Sequence, residues 1–146
     1  MATINPYLTF NGNAEEAMNF YKSVFGGDFV GGITRFKDFK DMPGGDNMSA
    51  ADGERVMHVS LPIQKDSLLM ASDTVEEMGQ PFTPGNNFTI SIQTESVEET
   101  HRLFNGLSSG GQVIMPLGKS SWSELFGMFT DKFGIQWLVN YDINQE

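Results

Sequence analysis

The chain has 146 residues, enough for one domain or two small modules sharing a core, and 39% of them are hydrophobic. The formal net charge of −10 argues against nucleic acid or an anionic membrane as a partner, because both would be repelled. Cysteine is absent, which excludes disulfides, thiolate metal sites and cysteine nucleophiles.

No apolar stretch approaches the roughly 18–20 residues needed to span a bilayer. The N-terminus lacks a basic-then-apolar leader, so the expected location is cytoplasmic. Residues 4–10 read as a first strand, with Leu8 and Phe10 on one face and Tyr7 and Thr9 on the other. Asn11-Gly12-Asn13 is a turn signal, and Asn13 with Glu16 makes a capping-box pattern for a helix. Ala17, Phe20, Tyr21, Val24 and Phe25 give that helix its apolar face, and Gly26-Gly27 ends it.

Residues 29–36 read as a second strand, softened by Gly31-Gly32. Residues 37–54 are polar and rich in Gly, Asp and Pro, a connection longer than usual. Residues 55–63 and 67–72 form a hairpin across Gln64-Lys65-Asp66. Residues 74–87 hold Pro81, Pro84, Gly79 and Gly85 and read as a linker between modules at 1–73 and 88–146.

The second module opens with a strand at 88–93. Ser96 caps a helix with Glu99 as its box partner, and Val97, Thr100, Leu103, Phe104 and Leu107 form the inner face. Gly110-Gly111 stops it. A strand at 112–117 and a loop near Trp122 precede a closing hairpin, 125–130 and 135–141, around Asp131-Lys132-Phe133-Gly134.

The two halves repeat one another. Asn13 to Ser96 and Glu16 to Glu99 are both steps of 83, and the two glycine pairs are 84 apart. The expected fold is therefore α+β: two tandem βαβββ modules forming a curved mixed sheet around a cleft.

The chain resembles the vicinal oxygen chelate superfamily of glyoxalase I, bleomycin-resistance proteins and extradiol dioxygenases, and more narrowly its PhnB-like branch. The resemblance is carried by Pro6-Tyr7-Leu8-Thr9-Phe10-Asn11-Gly12-Asn13 with Glu15-Glu16, and by Phe20-Tyr21-Lys22 through Phe25-Gly26-Gly27. It continues in Met57-His58, Leu69-Met70-Ala71-Ser72-Asp73 and Met115-Pro116-Leu117. Trp122, Phe126-Gly127-Met128 and Asp131-Lys132-Phe133-Gly134-Ile135-Gln136-Trp137 complete it. The resemblance implies that each module curls around half of a cleft and that the protein is a homodimer. Relatives are labelled demethylubiquinone methyltransferase-like, but no glycine-rich strand-to-helix loop that would hold S-adenosylmethionine is visible.

Metal-dependent members place His, Glu or Gln on the first and fourth strands of both modules. Here the first strand offers Asn5, Tyr7 and Thr9, and the matching strand Thr89 and Ser91. The fourth strand offers Ala71 or Ser72, and the last strand Gln136, Leu138 and Asn140. No metal ligand and no cofactor is expected, although carboxylates within 37–54 leave a hard-ion site open as an alternative.

His58 alternates with apolar neighbours on a strand and shares a face with Ser60, while His101 reads as a helix-surface residue. Arg35 suits a bidentate grip on a carboxylate or phosphate, or an edge-strand role. Trp122 suits either a ligand cover or a dimer contact. Asp73 reads as a turn residue, and Trp137 as core. No Gly-x-Ser-x-Gly elbow or catalytic serine order occurs.

Three readings follow. The first is a binding module whose cleft holds a small organic molecule, lined by Tyr7, Thr9, Arg35, His58, Ser60, Trp122 and Gln136. The second is a metal-dependent isomerase, lyase or dioxygenase with non-standard ligands. The third is a non-catalytic dimer with its cleft filled by side chains.

Overall fold

The computed structural model describes residues 2–38, 48–64, 66–75 and 81–142. They form two compact units, Met1–Thr83 and Pro84–Glu146. Each is βαβββ, as the repeat predicts, and each holds one four-stranded mixed sheet.

In the first unit β1 (Tyr7–Phe10) leads into α1 (Ala14–Phe25), then β2 (Thr34–Arg35), α2 (Ala50–Gly53), β3 (Val56–Gln64) and β4 (Ser67–Asp73). The sheet order is β1-β4-β3-β2, with β1 parallel to β4 and the other neighbours antiparallel. In the second unit β5 (Ile90–Gln93) leads into α3 (Val97–Ser108), β6 (Gln112–Gly118), β7 (Leu125–Thr130) and β8 (Gln136–Tyr141). The order β5-β8-β7-β6 repeats the first sheet, again with one parallel pair at the start.

Alternation along the strands sets the cores. Leu8, Phe10, Val59, Leu61, Leu69 and Ala71 are buried in the first unit with Ala17, Met18 and Tyr21 of α1. Ile92, Phe129, Trp137 and Val139 are buried in the second with Leu103, Phe104 and Leu107 of α3. Each large buried side chain stabilises by about 1.5–3 kcal/mol, whereas a helix cap contributes about 1 kcal/mol. The inner sheet faces, more than the caps, therefore hold each unit together. Phe104 meets Phe129 edge-on, with centroids 5.1 Å apart and planes at 82°.

Several sequence expectations need correction. The first strand is four residues long; ahead of it Pro6 accepts the N–H of Met70 and the Asn5 side chain that of Leu68, outside the regular ladder. The second strand shrinks to Thr34–Arg35, because Gly31 and Gly32 take φ of +73° and +75°, which no extended strand allows. Part of the expected 37–54 loop is structured: Phe36–Asp38 is a 3₁₀ turn, and Ser49 caps α2. Residues 39–47 of that loop, and 76–80 of the expected linker, lie outside the described residues.

The capping box at Asn13 is not formed. Its side chain makes no cap bond; the carboxylate of Asp73 takes the Gly12 and Ala14 N–H groups instead, at 2.8 and 2.9 Å. At α3 the expected cap is present. Ser96 Oγ accepts from Glu99 N–H, while the Glu99 carboxylate reaches back one residue further than expected, to the Glu95 N–H.

The element bounds keep the step of 83: Tyr7–Phe10 recurs as Ile90–Gln93 and Ala14–Phe25 as Val97–Ser108.

Candidate functional site

The sheet face away from α1 in the first unit is polar. Register places Tyr7 beside Met70 and Met70 beside Ser60, with Thr9 beside Ser72 one step along. His58, two residues from Ser60, lies on that face next to Thr34. Tyr7 is 47% exposed and reaches across β4, its Oη 3.3 Å from Nδ1 of His58. The two rings sit 5.8 Å apart at 34°. Either partner can donate, according to the imidazole tautomer.

Ser60 is only 5% exposed, and its Oγ has no hydrogen-bond partner among the described residues. A buried hydroxyl left unmatched costs about 1–3 kcal/mol. The first unit thus brings four of the expected residues, Tyr7, Thr9, His58 and Ser60, to one face.

Arg35 is differently engaged. Its Nη1 and Nη2 donate to the two Glu15 carboxylate oxygens at 3.0 and 3.1 Å, and Nη1 also donates to the Glu54 carbonyl at 2.8 Å. The Glu15 hydrogen bond raises the guanidinium pKa against a partial burial penalty. Lys37 donates to the Glu54 carboxylate at 2.6 Å, holding that group below its ordinary carboxylate range. These residues join α1, β2 and α2; the fork of Arg35 faces a carboxylate of its own chain.

The equivalent face of the second unit is amide-rich and aromatic. Phe126 pairs with Asn140 and Met128 with Leu138. Asn140 Nδ2 donates to Gln93 Oε1 at 3.0 Å, and its Oδ1 is buried without a partner among the described residues. Trp122, 61% exposed, stands edge-on to Phe126 with centroids 5.4 Å apart. Gln136 pairs with Thr130 at the far end of the strand, four residues or roughly 13 Å from Asn140. There its Nε2 donates to the Phe88 carbonyl at 2.6 Å. Trp122 and Gln136 are therefore separate features.

The sequence offered Asn140 only among the last-strand residues at the metal positions, and Gln93 not at all. The signal was their pairing in register, visible only once β5 and β8 are known to be parallel neighbours. His101 is on the exposed side of α3, and Trp137 is buried with its Nε1 donating to Asp131 at 2.8 Å.

The positions at which the resemblance would place metal ligands carry neutral groups. The first and fourth strands of the two units offer Tyr7, Thr9, Met70 and Ser72, and then Ser91, Gln93, Leu138 and Asn140. Among the described residues no three His, Cys, Asp or Glu side chains gather. Hydroxyl, amide and thioether groups without a carboxylate or a second imidazole do not fit a tightly held divalent ion.

The model of a family described as 3-demethylubiquinone-9 3-methyltransferase matches residues 2–140. Protein PA1353 from Pseudomonas aeruginosa is 38% identical, with 97% of this chain and 98% of that one covered and a TM-score of 0.79. A PhnB protein from Bacillus cereus, bearing the same methyltransferase description, is 28% identical over 96% of this chain and 99% of that one, with a TM-score of 0.72. Protein YjdN of Escherichia coli K12 is 27% identical over 145 residues, 94% of this chain and 93% of that protein. The fold also extends to a glyoxalase/bleomycin-resistance/dioxygenase domain from Frankia at 12% identity, over 97% of this chain and 98% of that one, with a TM-score of 0.63.

Proposed function

The chain belongs to the 3-demethylubiquinone-9 3-methyltransferase family, the PhnB-like branch of the glyoxalase/bleomycin-resistance fold, and from that membership we propose that it binds a small organic molecule in the cytoplasm. Tyr7 and His58 carry the reading. An exposed phenol and an imidazole held 3.3 Å apart, on the same face as a buried hydroxyl with no partner among the described residues, offer donors, acceptors and ring faces together. Thr9 adds a hydroxyl to the same face.

The Asn11-Gly12-Asn13 turn is short, and the N–H groups of Gly12 and Ala14 at the start of α1 are taken by Asp73. No open cradle for the anionic part of a methyl donor remains there.

The test is a thermal-shift screen of uncharged and singly charged organic fragments against the full chain, repeated on Tyr7→Phe and His58→Ala. A hit that depends on the Tyr7 hydroxyl loses about fivefold to tenfold in affinity in Tyr7→Phe, the worth of one hydrogen bond. Ligands whose binding ignores both variants would move the site elsewhere.

We also propose a homodimer through β6. Val113, Ile114 and Met115 are 44%, 59% and 45% exposed on an edge strand, and the segment Gln112–Gly118 carries no charge. Two copies with a net charge of −10 repel except along such neutral stretches. Native mass spectrometry of untagged protein gives a dimer, and Ile114→Lys gives monomer. A monomeric wild type removes the proposal.

A further inference from the structure

Three buried side-chain atoms among the described residues lack a hydrogen-bond partner: Ser60 Oγ, Ser120 Oγ and Asn140 Oδ1. Ser60 belongs to the polar sheet face of the first unit. The other two fall at one corner of the second unit. The 120–123 loop is tied to the end of β8, since Ser123 Oγ donates to the Tyr141 carbonyl at 2.7 Å and Glu124 N–H to the same carbonyl at 3.0 Å. Asn140 is the next residue on that strand, and its ladder partner Phe126 supports the ring of Trp122.

Chemically the corner holds an amide oxygen that needs a donor, a hydroxyl able to supply one, and an aromatic edge. The Asn140 amide is oriented by its donation to Gln93, which leaves Oδ1 as the group to be met. Two charges of this loop answer each other: Lys119 Nζ lies 3.6 Å from Glu124 Oε2. Among the described residues Trp122 is held by one aromatic contact, and it is 61% exposed, so it is the side chain that must swing to admit a guest.

We propose that Ser120, Trp122, Phe126 and Asn140 recognise an uncharged planar amide, an aromatic carboxamide or lactam. Its N–H donates to Asn140 Oδ1, its carbonyl accepts from Ser120 Oγ, and its ring lies against Trp122. This rests on the small-molecule reading above and gives it a ligand class. A carboxylate is refused, because it brings no donor to Asn140 and enters an acidic protein. A saturated amide loses the ring contact, which separates aromatic from aliphatic amides.

The test uses three probes on the ¹⁵N-labelled full chain: benzamide, benzoate and cyclohexanecarboxamide. Benzamide gives saturable shifts of the Trp122 indole N–H and the Asn140 side-chain amide. Benzoate gives none, and cyclohexanecarboxamide binds at least fivefold more weakly. Asn140→Leu abolishes the benzamide response at Trp122. Ser120→Ala, a milder change in a loop, weakens it severalfold and serves if Asn140→Leu fails to fold. Equal shifts from benzoate, or a benzamide affinity unchanged in Ser120→Ala, overturn the proposal. Benzamide shifts confined to Tyr7 and His58 also overturn it, while leaving the binding reading intact. Silence in both units overturns it too, and the fragment screen then decides the broader reading separately.

Discussion

The carboxylate of Asp73 accepts the backbone N–H of Ala14 at 2.9 Å, so the first helix is capped by a residue 59 positions away. The same carboxylate takes the N–H groups of Gly12 at 2.8 Å and Val56 at 2.9 Å. One buried side chain therefore ties the helix start, the end of β4 and the start of β3 together.

Asp73→Ala removes all three bonds and leaves buried donors unmatched. Hydrogen bonds to an ionised acceptor contribute about 1.5–3 kcal/mol each and are not additive. A loss above about 3 kcal/mol is expected by urea denaturation. Asp73→Asn keeps one acceptor oxygen for Gly12 and Ala14 but turns an N–H₂ towards Val56, and costs less than Asp73→Ala. Equal midpoints for wild type and Asp73→Ala would show that the three donors are satisfied otherwise.

The sequence made the two βαβββ units legible because their information is local. Alternation in 67–72, the Ser96/Glu99 pair and the paired glycines each act over a few residues. The exceptions are long-range. Asn13 has the right chemistry for a cap, yet the helix start is held by a distant group: the parallel register that puts Phe10 beside Asp73 brings a carboxylate to the neighbouring N–H groups of Gly12 and Ala14. Arg35 looked able to hold a ligand anion because Glu15 is 20 residues distant and on another element. Tyr7 and His58 were both legible as face residues, but their contact across β4 was not. Asn140 and Ser120 were hidden more deeply, since a missing partner has no sequence signal.

Gly127 is set by close packing. A Cβ built there lies 2.5 Å from Phe104 Cε2 and 3.1 Å from Leu117 Cδ2. Gly127→Ala must displace the ring that meets Phe129, and overpacking of this kind costs about 1–3 kcal/mol. Thermal unfolding should report the loss, and Phe104→Leu in the same chain should recover part of it. A fully stable Gly127→Ala would mean that the strand shifts freely.

The Lys37–Glu54 pair gives a signed pH dependence. The folded-state pKa of Glu54 is lowered, first by the hydrogen bond from Lys37 and then by its charge. A lowered carboxyl contributes stability above its unfolded pKa and loses it as pH falls through the folded one. The stability difference between wild type and Lys37→Met is therefore present at neutral pH and shrinks in acid. Both groups are exposed, so the effect is small and salt should reduce it. A difference that grows in acid would contradict the sign.

Ser60 separates binding from folding. Its Oγ is buried and makes no hydrogen bond among the described residues, so it adds nothing to the folded state in return for leaving water. Ser60→Ala removes that unmatched group at nearly constant volume. The variant should be more stable than wild type by about 1–3 kcal/mol, a gain read from the denaturation midpoint. If the Tyr7–His58 face binds a ligand, the same change weakens that ligand while the protein gains stability. A structural hydroxyl behaves oppositely: its loss lowers stability and leaves binding alone. Measuring both quantities on Ser60→Ala therefore distinguishes a group kept for a guest from one kept for the fold.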